Sequence, residues 1–191
     1  MDSTFAILFG SIFISNIVLA QFLGICSFLG VSKNMRGAAG MSAAVAFVMM
    51  LSAFITWLIY HKLLVPLELD YLKTIVFILS IASLVQLVEM FLKKNMPAIY
   101  HGMGVFLPLI TTNCAILGIA LLNIQKEYDL WQSLVNAAGT AIGYTLALVI
   151  FSCIRERLDP AALPAAMKDL PIALITAGCM SLALMGLSGI H

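Results

Sequence analysis

The chain has 191 residues, of which 62% are hydrophobic and only 10% charged, with a formal net charge of +1 and a mean hydropathy of +1.08. Soluble domains carry about 25% charged residues, so this chain lacks the polar surface that a water-facing enzyme needs. Its near-neutral balance gives no argument for a nucleic-acid partner or a polybasic membrane-surface role, and one integral membrane domain is the expectation at this length.

From the N-terminus, Asp2 is the only charge before Lys33, and the apolar run from Phe5 to Val31 exceeds the h-region of a signal peptide. Leu23-Gly-Ile-Cys26 departs from a lipoprotein cleavage box because Ile25 is bulky. The segment is therefore expected to be a retained first transmembrane helix.

Spans need roughly 20 apolar residues, and six are expected, at about 5–31, 38–60, 71–92, 102–123, 130–153 and 171–190. Polar punctuation separates them: Ser32 to Arg36, His61 to Asp70, Lys93 to Pro97, Gln125 to Asp129, and Arg155 to Asp169. The connections are short, so no sizeable soluble domain is expected. The first, third and fifth loops hold seven basic residues (Lys33, Arg36, Lys93, Lys94, Arg155, Arg157, Lys168), whereas the second and fourth hold three (Lys62, Lys73, Lys126). The bias toward cytoplasmic lysine and arginine then puts both termini on the outer face.

A pattern headed by cysteine occurs twice. Cys26-Ser-Phe-Leu-Gly30-Val-Ser recurs as Cys114-Ala-Ile-Leu-Gly118-Ile-Ala, 88 positions later (114 − 26). The copies fall in spans one and four, and an odd number of spans per repeat inverts one half relative to the other. The expected fold is all-α, with six helices in two inverted three-helix repeats, about 1–95 and 96–191. Functional sites of such folds gather near the pseudo-twofold axis. Cys114 lies mid-span, but Cys26 reaches that depth only if helix one is broken or steeply tilted. Gly24 and Pro108 are the expected break points, because each weakens the helical ladder. Thr111, Thr112 and Asn113 are available to satisfy the groups freed beside Cys114.

A single membrane cysteine is most often a small apolar core residue, and Cys153 and Cys179, which have no repeat partner, are read that way. For Cys26 and Cys114 a disulfide has little support at bilayer depth. Metal ligation is the sharper alternative: thiolates favour zinc and iron–sulfur clusters, which usually take four protein ligands. Two from this chain would need a second copy of the arrangement, on another chain, to complete the set. On the residues alone, core packing and ligation both stay open.

The stretch Phe106-Leu-Pro-Leu-Ile-Thr-Thr-Asn-Cys-Ala-Ile-Leu-Gly-Ile-Ala-Leu-Leu-Asn123 resembles the fourth-helix signature of the A-type membrane subunits of the bacterial Rnf complex. Their sister family is the E-type subunit of the sodium-pumping NADH:quinone oxidoreductase. Asn16 through Lys33, Val85-Gln-Leu-Val-Glu-Met90, Ile154-Arg-Glu-Arg157 and Ile172-Ala-Leu-Ile-Thr-Ala-Gly178 extend the likeness nearly end to end. Thr112 and the Ala-Leu-Leu-Asn123 ending are more similar to the Rnf branch.

The resemblance implies a membrane subunit of a translocase in the bacterial inner membrane, coupling ferredoxin:NAD oxidoreduction to sodium or proton transport. It implies a two-iron two-sulfur cluster shared with a homologous E-type subunit, with Cys26 and Cys114 as two of four ligands. It also implies further Rnf subunits B, C, D and G as partners. Gly24, Ile25, Asn113 and Gly118 would supply backbone near the cluster, with Gly24, Gly30 and Gly118 allowing close approach to its sulfides. Ser27 departs from the family, where many relatives have proline after the first cysteine; the thiolate itself is unaffected. No Gly-x-Gly-x-x-Gly or P-loop is present, so no nucleotide chemistry is expected in this chain.

Glu89, with Gln86 one turn before it, is a candidate ion-pathway residue, because an ionisable group within a span is a functional hypothesis by default. The competing reading is an i,i+4 pair with Lys93. Asn16, Gln21, Asn113 and Asn136 are read as interhelical hydrogen-bonding residues, and Gly139-Thr-Ala-Ile-Gly143 as a small-residue packing motif. Arg155-Glu-Arg157 is read as an interfacial anchor of helix five, with docking of a soluble partner as the lesser alternative. Two other functions fit the pattern: the quinone-reducing sister complex, and a metal-free inverted-repeat transporter.

Overall fold

The computed structural model describes residues 2–14, 16–32, 35–67, 70–95, 109, 113–158 and 170–188. Within them the chain is helical, without strands. Helix α1 (Asp2–Phe9) continues as a π-helical turn, Gly10–Ile14. After residues 16–24, which are not helical, come α2 (Ile25–Val31) and α3 (Met35–Ile59). A second π-helical turn (Tyr60–Leu64) and one short turn (Val65–Leu67) extend α3. Then follow α4 (Lys73–Asn95), α5 (Cys114–Gln125), α6 (Leu130–Leu158) and α7 (Leu170–Ser188).

Three of these stretches are long and apolar enough to cross a membrane: Gly37–Leu64, Lys73–Met90 and Leu130–Leu158. Cys114–Gln125 and Leu170–Gly186 are shorter apolar helices. The expected first span is interrupted, with its break over residues 16–24 and not at Gly24 alone. Pro108, the expected break point of helix four, lies outside the described residues. In the described part of that span Leu109 is helical, Asn113 is extended, and α5 starts at Cys114. The expected polar loop from His61 onward is also corrected, since helix runs through His61 and Lys62 to Leu67. Long amphipathic side chains can extend to an interface from a helix end, so their polarity does not require a turn.

Helix α6 is the organising element. It packs along α3 and also touches α1, the Gly10–Ile14 turn, α5 and α7. Its Tyr144, Leu148 and Phe151 are fully buried, beside Phe28, Met41, Met49 and Ile116. The expected packing role of Gly139 and Gly143 holds. A Cβ on Gly143 would sit 3.0 Å from the Ile12 carbonyl oxygen, and one on Gly139 would sit 3.2 Å from that of Leu8. These glycines let α1 approach α6 backbone to backbone.

The break between α1 and α2 is buried over residues 16–19 and at Gly24, and exposed over residues 20–22. Its buried part is held by internal hydrogen bonds, the condition under which irregular backbone is tolerated at membrane depth. Ile17, Val18 and Leu19 are all buried. Asn16 Oδ1 accepts from Val18 N (3.2 Å), and Asn16 Nδ2 donates to the Gly143 carbonyl (3.0 Å). Ala20 N donates to Asn16 O (2.8 Å) and Leu23 N to Ile17 O (3.0 Å). From α7, Ser181 Oγ donates to the Leu19 carbonyl (2.7 Å).

Candidate functional site

Both cysteines stand at helix starts that interrupt apolar segments. Gly24 has φ 84, the left-handed region, and forms the N-cap of α2, which makes Cys26 the second residue of that helix. Only glycine adopts this conformation without penalty. Asn113 is the N-cap of α5, and its Oδ1 accepts from Ala115 N (3.1 Å). An asparagine there satisfies one of the orphan N–H groups of a helix start, so Cys114 becomes the first residue of α5.

The two turns bring the thiols together. Cys26 Sγ lies 3.9 Å from Cys114 Sγ, and neither sulfur is in a disulfide. A disulfide needs about 2.05 Å. Two thiolates on one tetrahedral ion, each at about 2.3 Å, stand about 3.8 Å apart. The separation fits shared coordination of a metal. Cys26 is exposed at the surface of the chain and Cys114 is half-buried. Among the described residues no third histidine, cysteine, aspartate or glutamate joins the pair.

The surroundings are polar but tightly held. Ser27 Oγ donates to the Gly24 carbonyl (2.9 Å) and lies 2.9 Å from the Tyr144 hydroxyl. A serine hydroxyl has one proton, so Tyr144 is the donor of the second bond. Asn113 is buried one residue from Cys114, and its Nδ2, directed toward the Tyr144 hydroxyl, makes no hydrogen bond within 3.5 Å.

The other expected residues fall out differently. Ile25 is half-buried beside Cys26. At Gly118 a Cβ would meet the Leu23 side chain at 2.5 Å, so the glycine makes room for the α1–α2 connection. Gly30 likewise faces the Leu109 side chain. Cys153 and Cys179 are exposed, correcting their assignment to the core. In a membrane protein apolar side chains face outward as readily as inward, so hydropathy does not separate the two.

Asn136 receives the Ser11 hydroxyl at its Oδ1 and donates from Nδ2 to Asn123 Oδ1 (2.6 Å), as expected of an interhelical link. Gln21 is exposed. Glu89 is half-buried on α4, away from the cysteine-bearing elements in sequence, and the Lys93 side chain is outside the described residues. Arg155, expected at the interface end of its helix, lies in the last turn of α6 and is also held within the chain: it is 9% exposed, and its Nη1 donates to Leu29 O (2.7 Å) and Ser32 Oγ (2.6 Å). Tyr144 and Ser152 have no motif to announce them, and the Ile154-Arg-Glu-Arg157 stretch that contains Arg155 does not announce its burial. Their common signal is spacing along one face of α6.

The model of the Rnf-Nqr membrane-subunit family matches residues 4–191 of the chain. The chain is 55% identical over 183 residues to the A-type subunit of the Na(+)-translocating ferredoxin:NAD(+) oxidoreductase complex of Acetobacterium woodii, covering 96% of this chain and 95% of that protein. It is 53% identical over 190 residues to the A-type subunit of the ion-translocating oxidoreductase complex of Syntrophotalea carbinolica, covering 100% and 98%. The protein of the same description from Photorhabdus laumondii is 49% identical over 190 residues, again covering 100% and 98%.

Proposed function

The chain belongs to the Rnf-Nqr family of membrane subunits, and from that premise we propose that it is the A-type subunit of an ion-translocating ferredoxin:NAD oxidoreductase. In this reading Cys26 and Cys114 supply two of the four thiolates of a two-iron two-sulfur cluster inside the bacterial inner membrane. The other two come from a homologous E-type subunit, and subunits B, C, D and G complete the assembly. The single observation that carries the proposal is the 3.9 Å separation of two unpaired thiols from repeats 88 positions apart (114 − 26).

When bound, such a cluster supplies a one-electron relay that divides the bilayer barrier into two shorter steps. The chain's own residues prepare that place. Gly24 and Asn113 start the two helices so that the sulfurs converge. The exposure of Cys26 leaves the pair open toward a neighbouring chain. The positive end of the α5 dipole favours negative charge at Cys114, and the Asn113 Nδ2 donor is available to a sulfur. Hydrogen bonds to cluster sulfurs raise the potential.

Six spans, inverted halves and outer-facing termini belong to the same proposal. The coupled ion is sodium or a proton. The relative from Acetobacterium woodii is described as sodium-translocating, which favours sodium. Co-expression tests the shared site. The chain purified with its E-type homologue should retain iron, and the chain alone should lose it. A stoichiometric cluster in the isolated chain would refute sharing. Assays with ferredoxin and with quinone separate this function from that of the sister complex.

A further inference from the structure

Resting on the cluster reading above, we propose that Arg155 is a positioning residue that fixes Cys26 toward the shared cluster, acting through the C-terminal end of α2. Helix α2 has only seven residues. Isolated helices this short are unstable, so its orientation, and with it the aim of Cys26, depends on neighbouring contacts.

Helix α6 supplies those contacts along one face. At the start of α2, the Tyr144 hydroxyl meets Ser27 Oγ (2.9 Å). At mid-length, the Phe28 and Phe151 rings stack with centroids 4.4 Å apart. At the end, Ser152 Oγ donates to the Ser32 carbonyl (3.1 Å). There too Arg155 Nη1 donates to Leu29 O and Ser32 Oγ. The last carbonyls of a helix have no internal partner, and a cation is favoured at that end. Tyr144, Phe151 and Arg155 are spaced by seven and then four residues, which places them on one face of α6.

The guanidinium does more than close a helix end. It is buried, and no carboxylate among the described residues pairs with it; its two partners are neutral oxygens. A buried cation without a counter-charge is costly. A four-thiolate two-iron two-sulfur cluster is anionic in both oxidation states, and it would sit at the opposite end of the same two-turn helix. Arg155 is thus both the clamp on α2 and a fixed positive charge held by α6 at the end of α2 opposite Cys26.

The test uses the whole purified complex carrying Arg155→Met, Arg155→Lys or Ser32→Ala. It reads the cluster's paramagnetic g-values, its midpoint potential and the rate of iron loss to a chelator. Arg155→Met should shift the g-values, lower the potential and accelerate iron loss, because the far end of α2 loses its anchor and the cluster loses a positive charge. Arg155→Lys should recover most of the potential but not the g-values, because it keeps the charge and loses the planar fork. Ser32→Ala should accelerate iron loss with little change in potential. Wild-type g-values, potential and iron-loss rate in Arg155→Met would overturn the proposal. If that variant fails to assemble, wild-type behaviour of both Arg155→Lys and Ser32→Ala would overturn it. A wild-type complex with no cluster signal would instead remove the cluster reading itself.

Discussion

The sulfur of Cys26 lies 3.9 Å from that of Cys114, and each is delivered by a different device at the start of a helix. Gly24 turns through a left-handed conformation to begin α2, while Asn113 caps α5 from an extended one. Two copies of one sequence pattern therefore converge by unlike local means. The pair should behave as a pair even without iron. In the iron-free chain a mild thiol oxidant such as diamide should close an intramolecular Cys26–Cys114 disulfide, seen by mass spectrometry as loss of two hydrogens. Disulfides only through Cys153 or Cys179 would contradict the geometry.

Asn113 holds the start of α5 through its Oδ1. Asn113→Ala should cost about 1 kcal/mol, the usual loss on removing such a cap, measured as a lowered melting temperature of the complex. Asn113→Ser keeps a capping oxygen and should recover most of that stability. Neither variant retains the Nδ2 donor, so both should lower the potential of the cluster. A wild-type potential in both would show that this donor does not reach a sulfur.

Gly143 and Gly118 should respond differently to alanine. At Gly143 the added methyl meets the Ile12 carbonyl oxygen and Cα, which are backbone atoms. Gly143→Ala should therefore cost about 1–3 kcal/mol, as overpacking generally does. At Gly118 the clash is with the tip of the Leu23 side chain, which can rotate away. Gly118→Ala should cost less, and thermal unfolding of the two complexes compares them directly.

Tyr144→Phe removes a single hydrogen bond to Ser27, whose own proton remains on the Gly24 carbonyl. The expected loss is about 0.5–1.5 kcal/mol, with the cluster retained. Complete iron loss in this variant would mean that the tyrosine hydroxyl does more than orient Ser27.

Glu89 is the half-buried carboxylate that the residue pattern suggests for an ion path. Glu89→Gln removes its charge at nearly constant volume. Ion uptake into vesicles containing the assembled complex should fall sharply while electron transfer continues. Unaltered uptake would remove Glu89 from the path.

Much of the site is legible in the residues because its chemistry is carried by a repeated, spaced motif. Cys26, Cys114 and Gly24 emerge from one duplicated pattern and one break-prone glycine, and Asn113 from its place beside the second cysteine. The family is identifiable from stretches running nearly end to end. The break over residues 16–24 begins earlier than hydropathy suggests, because Ile17, Val18 and Leu19 are as apolar as any helix. Its signal is the polar Asn16 that satisfies the freed backbone. Arg155 is picked out by the Ile154-Arg-Glu-Arg157 stretch, but its burial is not. A basic residue near a span end looks solvated in the sequence, and only the packing of α6 against α2 shows it buried. Gly118 reads as a match to Gly30, yet the side chains facing the two glycines are different. Repetition along the chain specifies neither local packing nor the outward orientation of Cys153 and Cys179.

The most direct test of the shared intramembrane site is iron content with electron paramagnetic resonance on the purified complex, comparing wild type with Cys26→Ser, Cys114→Ser and Cys153→Ser. The account predicts that one reducible two-iron signal is lost in both of the first two variants and is intact in Cys153→Ser. An unchanged signal in Cys26→Ser and Cys114→Ser would contradict it, returning both thiols to packing and favouring a metal-free transporter.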